Sequence, residues 1–298
     1  MEESLLTTSM LRQLEQLQLI ARRYAKSSLK GERRSRARGH SVEFADYRNY
    51  VSGDDLRYLD WSLYGRLDRL FIRLYEEERE LPVRIFLDGS ESMNFGTPSK
   101  FSLARRVAAA ITHVALCGFD RVSLHCFPDR DVNRVAQSGL REVRGRQSSL
   151  RFMSLLSQLT PGGEGQLNEA LRRGAIEARY VGLAVVISDF LDEGGYEEGL
   201  KALVSRGFQV MVVQVLAPEE LKPSSFGDFK LVDAETGAMR EVTFGRFRLN
   251  RYEATVQAYI EELAEFCRRR GVGFWSVASD AALEPLLLTQ MKEGELWR

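Results

Sequence analysis

The chain has 298 residues, 44% of them apolar and 28% charged, a composition typical of a soluble globular protein with one large core or two modest ones. The 42 basic and 42 acidic side chains cancel, so no overall field draws the molecule to nucleic acid or anionic lipid. The longest apolar stretches fall well short of the roughly 20 residues that cross a bilayer. Residues 1–3 also lack the basic start of a secretory signal, so we expect a cytoplasmic protein.

Residues 1–81 form a predicted N-terminal region of three parts. Apolar residues at near-helical spacing predict an amphipathic helix over residues 4–25. The tract 31–39 has no apolar residue larger than Ala and predicts a basic, solvated loop. Residues 40–80, which we call the collar, mix aromatic and charged side chains and alternate as a half-buried strand at 71–75.

The pattern changes near Leu81, and short apolar runs then alternate with helical stretches to residue 298. The predicted strands are 83–87, 122–127, 183–187, 210–216 and 274–277, and the predicted helices are 100–117, 167–178, 196–205 and 251–270. Strands that are apolar on both faces and alternate with helices indicate a doubly wound, mostly parallel, Rossmann-like α/β domain over residues 82–298. Alternation around a Glu-Thr-Gly turn predicts an inserted β-hairpin near 228–245.

Cysteine and histidine are scarce, with three residues of each. Cys117, Cys126 and Cys267 form no CxxC pair, so the sequence supports neither a disulfide framework nor a thiolate zinc site and predicts buried thiols. His113 falls in a helix rich in Ala and Val, and His125 falls in an apolar strand. Both positions favour hydrogen-bonded core roles over metal ligation.

Oxygen-bearing side chains follow two of the predicted strands. Asp88, Ser90 and Ser92 follow the first strand of the domain, and Asp189 follows the strand 183–187. Open α/β sheets bind ligands at the carboxyl ends of their strands, and hard oxygen donors suit Mg²⁺ or Mn²⁺. The same residues are also typical of helix caps and turns, and the spacing alone leaves both interpretations open.

The motif Asp-x-Ser-x-Ser at residues 88–92, with Ile-Ser-Asp at 187–189, resembles the metal-ion-dependent adhesion site (MIDAS) of von Willebrand factor A domains. The segment 48–61, Arg-Asn-Tyr-Val-Ser-Gly-Asp-Asp-Leu-Arg-Tyr-Leu-Asp-Trp, resembles the signature of the DUF58 family, whose members join such a domain to a preceding segment. Val-Asp-Ala-Glu-Thr-Gly at 232–237 is similar to the hairpin of that family. The resemblance spans roughly residues 42–279.

This resemblance implies a non-enzymatic protein-interaction module with a MIDAS-like site. Such modules commonly work beside a MoxR-type AAA+ ATPase in chaperone-like assembly or metalloenzyme maturation. The resemblance implies that Ser90 and Ser92 ligate Mg²⁺ or Mn²⁺ directly. It also implies that Asp88 and Asp189 hold the ion directly or through water.

The chain departs from the family pattern at one ligand. A threonine normally completes the protein ligands, whereas Gly165 or Gln166 stands in that place here. Gly165 has no side-chain oxygen, so water or Glu164 would have to fill the position, and a metal-free pocket is the alternative.

Six collar residues are candidates for partner contact: Asp54, Asp55, Arg57, Asp60, Trp61 and Arg66. Clustered carboxylates can also build a catalytic metal site, so the alternative function is a metal-dependent hydrolase that uses Asp54, Asp55 and Asp60. We favour a structural interpretation, in which Asp54 caps a helix, Arg57 pairs with an acid and Trp61 packs the collar onto the sheet.

The basic tract suggests a weaker alternative, a basic-arm adaptor that binds anionic membranes through residues 4–38. Nucleic-acid binding is not expected, because no aromatic residues are interleaved with the tract 33–38 to stack on bases.

Overall fold

The structure is a computed structural model, and it describes residues 5–17, 19, 42–77, 80–223, 227–232, 239–244, 246–290 and 296. The chain divides into two compact units. Residues 22–80 form the collar unit, and residues 1–21 with 81–298 form the sheet unit. The predicted basic loop and the end of the predicted N-terminal helix lie outside the described residues.

The collar unit contains a two-stranded antiparallel sheet. Its elements are β1 Val42–Asn49, a 3-10 turn Leu56–Tyr58, helix α2 Trp61–Leu67 and β2 Phe71–Glu77. β2 confirms and extends the strand predicted at 71–75. Its partner β1 was not predicted, because the register shifts between Phe44 and Asp46 and this irregularity breaks the apolar alternation.

The sheet unit is a mixed α/β structure. Its strands are β3 Pro82–Asp88, β4 Arg121–Phe127, β5 Val143–Arg144, β6 Leu183–Ser188, β7 Gln209–Leu216, β8 Gly227–Val232, β9 Met239–Phe244 and β10 Gly273–Ala278. Six of them form one sheet in the order β10-β7-β6-β3-β4-β5, in which every neighbouring pair is parallel except β4 and β5. β8 and β9 form the predicted hairpin, whose turn lies outside the described residues.

Helices flank this sheet. They are α1 Thr8–Leu14, α3 Lys100–Cys117, α4 Asp131–Gly139, α5 Ser149–Ser157, α6 Leu167–Glu177, α7 Glu197–Arg206, α8 Pro218–Leu221 and α9 Arg246–Arg269, with terminal helical segments Leu283–Pro285 and Leu286–Gln290. The prediction of an α/β domain with a mainly parallel sheet is therefore confirmed.

The core forms where the strands have no polar face. Each of the six residues of β6 is buried, which fits a central parallel strand covered by helices on both sides. α6 approaches the sheet closely at Gly174, where an added Cβ would meet the ring of Phe86 at 2.3 Å. The guanidinium of Arg84 donates to the Gly174 carbonyl at the same contact, over 2.8 Å.

Two differences from the predicted helices have clear causes. The N-terminal helix starts at Thr8 rather than residue 4, because the Thr7 hydroxyl accepts a hydrogen bond from Met10 N and caps the first turn. α4 was not predicted, because its valines, Val132 and Val135, face solvent while Asn133 is buried. The apolar pattern on which helix prediction depends is thus inverted there.

The core predictions for cysteine and histidine hold in part. Cys126 and Cys267 are buried, but Cys117 is half-exposed. His113 is hydrogen-bonded as predicted, whereas Nε2 of His125 is buried with no hydrogen-bond partner among the described residues, so that prediction was wrong for this atom. In the described part of the chain, no helix is both long enough and apolar enough to cross a bilayer.

Candidate functional site

The topology of the sheet brings two carboxylates to one edge. β3 and β6 are parallel neighbours with Leu87 opposite Ile187, so the residues after these positions emerge together. Asp88 ends β3, and Asp189 follows the end of β6. This edge is the one at which open α/β sheets bind ligands.

Asp88 is fixed inside the protein by hydrogen bonds from two neighbours. It is 3% exposed, and its Oδ1 accepts a hydrogen bond from Ser90 N over 3.0 Å. Its Oδ2 accepts a short hydrogen bond of 2.5 Å from the hydroxyl of Ser188. Burial and, secondarily, the charge of Asp189 raise the pKa of Asp88 well above the usual range of a carboxyl. A cation at this edge would relieve both effects.

Ser90, Ser92 and Asp189 form a chain of hydrogen bonds. Ser92 Oγ donates to Asp189 Oδ2 over 3.0 Å, and Ser90 Oγ lies 3.0 Å from Ser92 Oγ. Because a hydroxyl has a single proton, the Ser90 hydroxyl must be the donor to Ser92. The structure therefore brings all four predicted oxygen donors of the sheet edge into one connected group.

A buried lysine also contacts this group, although the sequence analysis did not select it. Lys100 is 0% exposed, and its ammonium donates to Asp189 Oδ2 over 2.7 Å and to Glu220 Oε1 over 2.6 Å. Burial lowers the pKa of Lys100, but the charges and hydrogen bonds of both carboxylates outweigh burial and raise it. The lysine is therefore charged, and it already supplies one positive charge to the carboxylates of this edge.

The sequence contains a signal for this buried lysine. Lys100 is the first residue of α3, and it falls at helical spacing from Ala104, Val107 and Ile111, all of which are fully buried. A lysine on the buried face of a helix requires an acidic partner. The identity of that partner was not readable, because Glu220 lies 120 positions further along the chain.

The loop around Gly165 is where the family pattern expects a threonine. This loop contacts the site through its backbone. Gly162 N donates to Gly89 O over 2.7 Å, and Glu91 N donates to Gly163 O over 2.9 Å. Glu164 and Gln166 are exposed, and Gly165 is half-buried. The loop therefore supports the site through these main-chain hydrogen bonds.

The only threonine at the start of this loop is engaged elsewhere. Thr160 N donates to Asn133 Oδ1 over 3.1 Å, and Asn133 Nδ2 donates to Thr160 O over 3.0 Å. Thr160 Oγ1 also faces Asn133 Oδ1, at 3.5 Å. This threonine is therefore held by α4 and does not substitute for the ligand that the family pattern expects.

The collar carboxylates are each paired with a different arginine. Asp54 accepts two hydrogen bonds of 2.7 Å from Arg48. Asp60, which is buried, accepts from Arg73 Nε over 2.8 Å. The hydrogen bond from Arg73 holds the pKa of Asp60 far below its usual range. Backbone donors lower this pKa further, and burial opposes the shift without cancelling it. These carboxylates are thus neutralised by the protein itself.

The capping role predicted for Asp54 was wrong. The Asp54 carboxylate also accepts from Val51 N, whereas Asp55 caps the 3-10 turn and Asp60 caps α2 by accepting from Ser62 N and Leu63 N. The residues therefore do not share one helix. The predicted pairing of Arg57 with an acid is present, since its guanidinium donates to Asp55.

The remaining two collar candidates are surface residues within the collar unit. Trp61 is 64% exposed and contacts the ring edge of Tyr64 at a centroid distance of 6.3 Å. Arg66 is also exposed. Other large apolar side chains of the collar unit are exposed as well, namely Val51, Leu56, Tyr58 and Leu67.

These features define a class of protein, a mainly parallel α/β domain with a group of oxygen-bearing side chains at the carboxyl edge of its sheet. The same chain carries a collar whose carboxylates pair with arginines. Residues 46–262 match the family model described as "Protein of unknown function DUF58", so the chain belongs to the DUF58 family.

Similar proteins include Rv1480 of Mycobacterium tuberculosis and Mb1516 of Mycobacterium bovis, both described as uncharacterized. Each is 29% identical over 272 residues, which cover 90% of this chain and 84% of the relative. Among solved structures, the conserved hypothetical protein BatB from Bacteroides thetaiotaomicron is 18% identical, with a TM-score of 0.41, and the match covers 72% of this chain and 98% of that one. An aerotolerance-related membrane protein from Bacteroides fragilis is 20% identical, also with a TM-score of 0.41, over 71% of this chain and 99% of that one.

Proposed function

We propose that this chain is a non-enzymatic, cytoplasmic protein-interaction module. In this proposal the sheet unit is a von Willebrand factor A-like domain, and its sheet edge is a MIDAS-like site that offers a divalent cation to an acidic residue of a partner. The observation that carries the proposal is the convergence of Asp88, Ser90, Ser92 and Asp189 from two separate segments of the chain.

The donor set is chemically suited to Mg²⁺ or Mn²⁺. Two carboxylates and two hydroxyls are hard oxygen ligands, and Mg²⁺ tolerates several waters among its ligands. Ser90 and Ser92 would ligate the ion, and Asp88 and Asp189 would balance its charge. A bound ion would supply an electrophilic position for a carboxylate of the partner. The separate ligand position that the absent threonine would occupy is left to water or to Glu164.

The engagement of the carboxylates supports an interaction role over hydrolysis. A general base must lie within hydrogen-bond reach of the proton that it abstracts. Asp189 receives hydrogen bonds from Lys100 and Ser92, and Asp88 receives them from Ser188 and Ser90. In the collar, each of the three carboxylates that a hydrolase would use is paired with an arginine, which a catalytic metal would have to displace. These carboxylates are Asp54, Asp55 and Asp60.

The proposed partner is a MoxR-type AAA+ ATPase, and the collar is the proposed surface for it. The support for this step is the exposed apolar side chains of the collar unit, since exposed apolar patches often mark interaction surfaces. Asp54, Asp55, Arg57, Asp60, Trp61 and Arg66 belong to the same unit. Assembly of other proteins, rather than turnover of a small molecule, is the activity that this arrangement serves.

Calorimetric titration of Mg²⁺ and Mn²⁺ into the full chain tests the metal step. We expect one binding event in the wild type, its loss in Asp88→Ala, and a weakened event in Ser92→Ala. Asp54→Asn is the matched control, because that carboxylate is bound by Arg48 in the collar and should leave the titration unchanged. A wild-type protein that takes up neither ion would refute the metal step.

Capture of the MoxR-type ATPase of the same genome tests the partner. We expect the wild type to retain the purified ATPase with Mg²⁺ and to release it on chelation. Trp61→Ala should weaken capture without changing the metal titration. Equal capture by the wild type and by both variants, Trp61→Ala and Asp88→Ala, would rule out this mode of interaction.

A further inference from the structure

A second group of potential metal ligands joins α1 to α3 in the sheet unit. His113 and Cys117 lie four residues apart on α3 and therefore share a face of that helix. Glu15 follows the end of α1 and faces them. His113 Nε2 lies 3.8 Å from Cys117 Sγ and 4.0 Å from Glu15 Oε1, and all three ligand atoms lie within 4.8 Å of one another.

We propose that Glu15, His113 and Cys117 bind one Zn²⁺ ion, with water as the fourth ligand, and that this ion fastens α1 to α3. Imidazole nitrogen, thiolate sulfur and carboxylate oxygen are the ligand types that Zn²⁺ takes in proteins. At zinc bond lengths of about 2.0–2.3 Å, tetrahedral ligand atoms lie about 3.5 Å apart. To reach that geometry, the two distances from His113 Nε2 must shorten by about 0.3 and 0.5 Å, and the distance between Glu15 and Cys117 by at most about 1.3 Å.

A second layer of hydrogen bonds orients the imidazole. His113 Nδ1 lies 2.7 Å from the hydroxyl of Ser149, and Nε2 lies 3.2 Å from the carbonyl oxygen of Leu11. A carbonyl oxygen only accepts, so without a metal Nε2–H donates to Leu11 O and the Ser149 hydroxyl donates to Nδ1. Zinc binding requires the other tautomer, in which Nδ1–H donates to Ser149 and the Nε2 lone pair leaves Leu11 O for the ion. A partner on the second ring nitrogen is typical of histidines that bind zinc.

The charges of the cluster also suit a divalent ion. Binding converts the Cys117 thiol to a thiolate and releases its proton to water, so thiolate and carboxylate together balance Zn²⁺. Arg146 is the competing cation, because its guanidinium lies 2.5 Å from Glu15 Oε1. Cys117 is half-exposed and Glu15 is 30% exposed at its side chain, so an ion can reach the cluster from solvent.

Sequence reasoning did not identify this cluster. It predicted a hydrogen-bonded core role for His113 and buried thiols for the cysteines. A His-x-x-x-Cys pair on a helix carries little information alone. The third ligand, Glu15, lies 98 positions before His113, just after the end of α1. Only the packing of α1 against α3 brings the three residues together.

Cobalt substitution tests the proposal in the full-length protein. After chelator treatment, Co²⁺ should produce a thiolate-to-cobalt charge-transfer band that saturates at one ion per chain, and Zn²⁺ should abolish it by displacement. Cys117→Ser should lose the band. Ser149→Ala should weaken binding by about tenfold or more, and Arg146→Ala should strengthen it. A folded wild type without the band, or a band that survives Cys117→Ser, would overturn the proposal.

A second measurement, made on the wild type and on Asp88→Ala, separates this site from the sheet edge. We expect Zn²⁺ to slow alkylation of Cys117 at least tenfold, as mapped by mass spectrometry, and Mg²⁺ to have no effect. Asp88→Ala should leave the protection intact, because the sheet-edge site has no sulfur ligand. Alkylation that is equally fast with and without Zn²⁺ would reject the zinc site, whatever the result of the Mg²⁺ titration.

Discussion

Lys100 places a full positive charge inside the sheet unit, where it contacts Asp189 and Glu220. Removing one partner of a buried ion pair leaves an uncompensated charge and typically costs about 3–5 kcal/mol. We therefore expect Lys100→Met to lower the free energy of unfolding by about that amount, as measured by urea denaturation. Mg²⁺ should restore part of the loss, because a bound cation replaces the missing charge.

Lys222→Met is the matched control for this substitution. Lys222 is exposed at the end of α8, and exposed substitutions of this kind usually change stability by less than about 0.5 kcal/mol. If Lys100→Met were as stable as Lys222→Met, the carboxylates would not depend on the ammonium. If it were destabilised and Mg²⁺ had no effect, the ammonium would be structural and its position would not be accessible to a metal.

His125 gives the sheet unit a source of acid sensitivity. It stacks on Phe86, and burial, with a further contribution from the charge of Arg84, lowers its pKa from 6.5 to about 3. The unfolded chain therefore binds one more proton than the folded chain between about pH 6.5 and pH 3. Stability falls as the pH falls through this window, by up to about 1.4 kcal/mol per pH unit.

We expect His125→Phe to reduce this sensitivity, because it preserves the stack and removes the titrating group. The loss of unfolding free energy between pH 8 and pH 5 should shrink by about 2 kcal/mol relative to the wild type. Denaturation curves at the two pH values measure it. A variant that keeps the full pH dependence would show that other groups, such as His113, account for it.

At the scale of elements, close packing decides the effect of two helical glycines. Gly174 in α6 touches Phe86, and an added Cβ would overlap its ring, whereas Gly65 in α2 has nothing within 4 Å of that position. Gly174→Ala should destabilise the protein by about 1–3 kcal/mol despite its better helix propensity. Gly65→Ala should be stabilising by about 0.5–1 kcal/mol. Thermal unfolding of both variants checks the contrast, and similar shifts would contradict it.

The elements that the sequence predicted well are those buried on a consistent face. β6 is apolar from Leu183 to Ile187, and α3 carries Ala, Val and Ile on its inner side, so periodicity located both. α4 buries Asn133 through its hydrogen bonds to Thr160 and exposes its valines, so the same criterion failed there. Sequence periodicity thus records burial, and it misses helices that are held by polar contacts.

At the scale of the whole molecule, topology brings together residues that sequence spacing keeps apart. Asp88 and Asp189 could be proposed as neighbours, because each follows a strand and parallel strands end at one edge. Lys100 and Glu220 could not be paired in advance, since their contact depends on how α3 and α8 pack at that edge. The oxygen donors were therefore predictable, whereas the ammonium of Lys100 that contacts Asp189 was not.

The division into two units makes a prediction about where Mg²⁺ acts. We expect saturating Mg²⁺ to slow hydrogen exchange in residues 88–94 and 189–191 and to leave β1 and β2 of the collar unit unchanged, because the donors lie in the sheet unit alone. At a hundredfold excess over its dissociation constant, an ion stabilises the state that it binds by about 2.7 kcal/mol. Ser92→Ala should reduce the protection. Slowing confined to residues 42–77 would instead place the metal among the collar carboxylates and revive the hydrolase alternative.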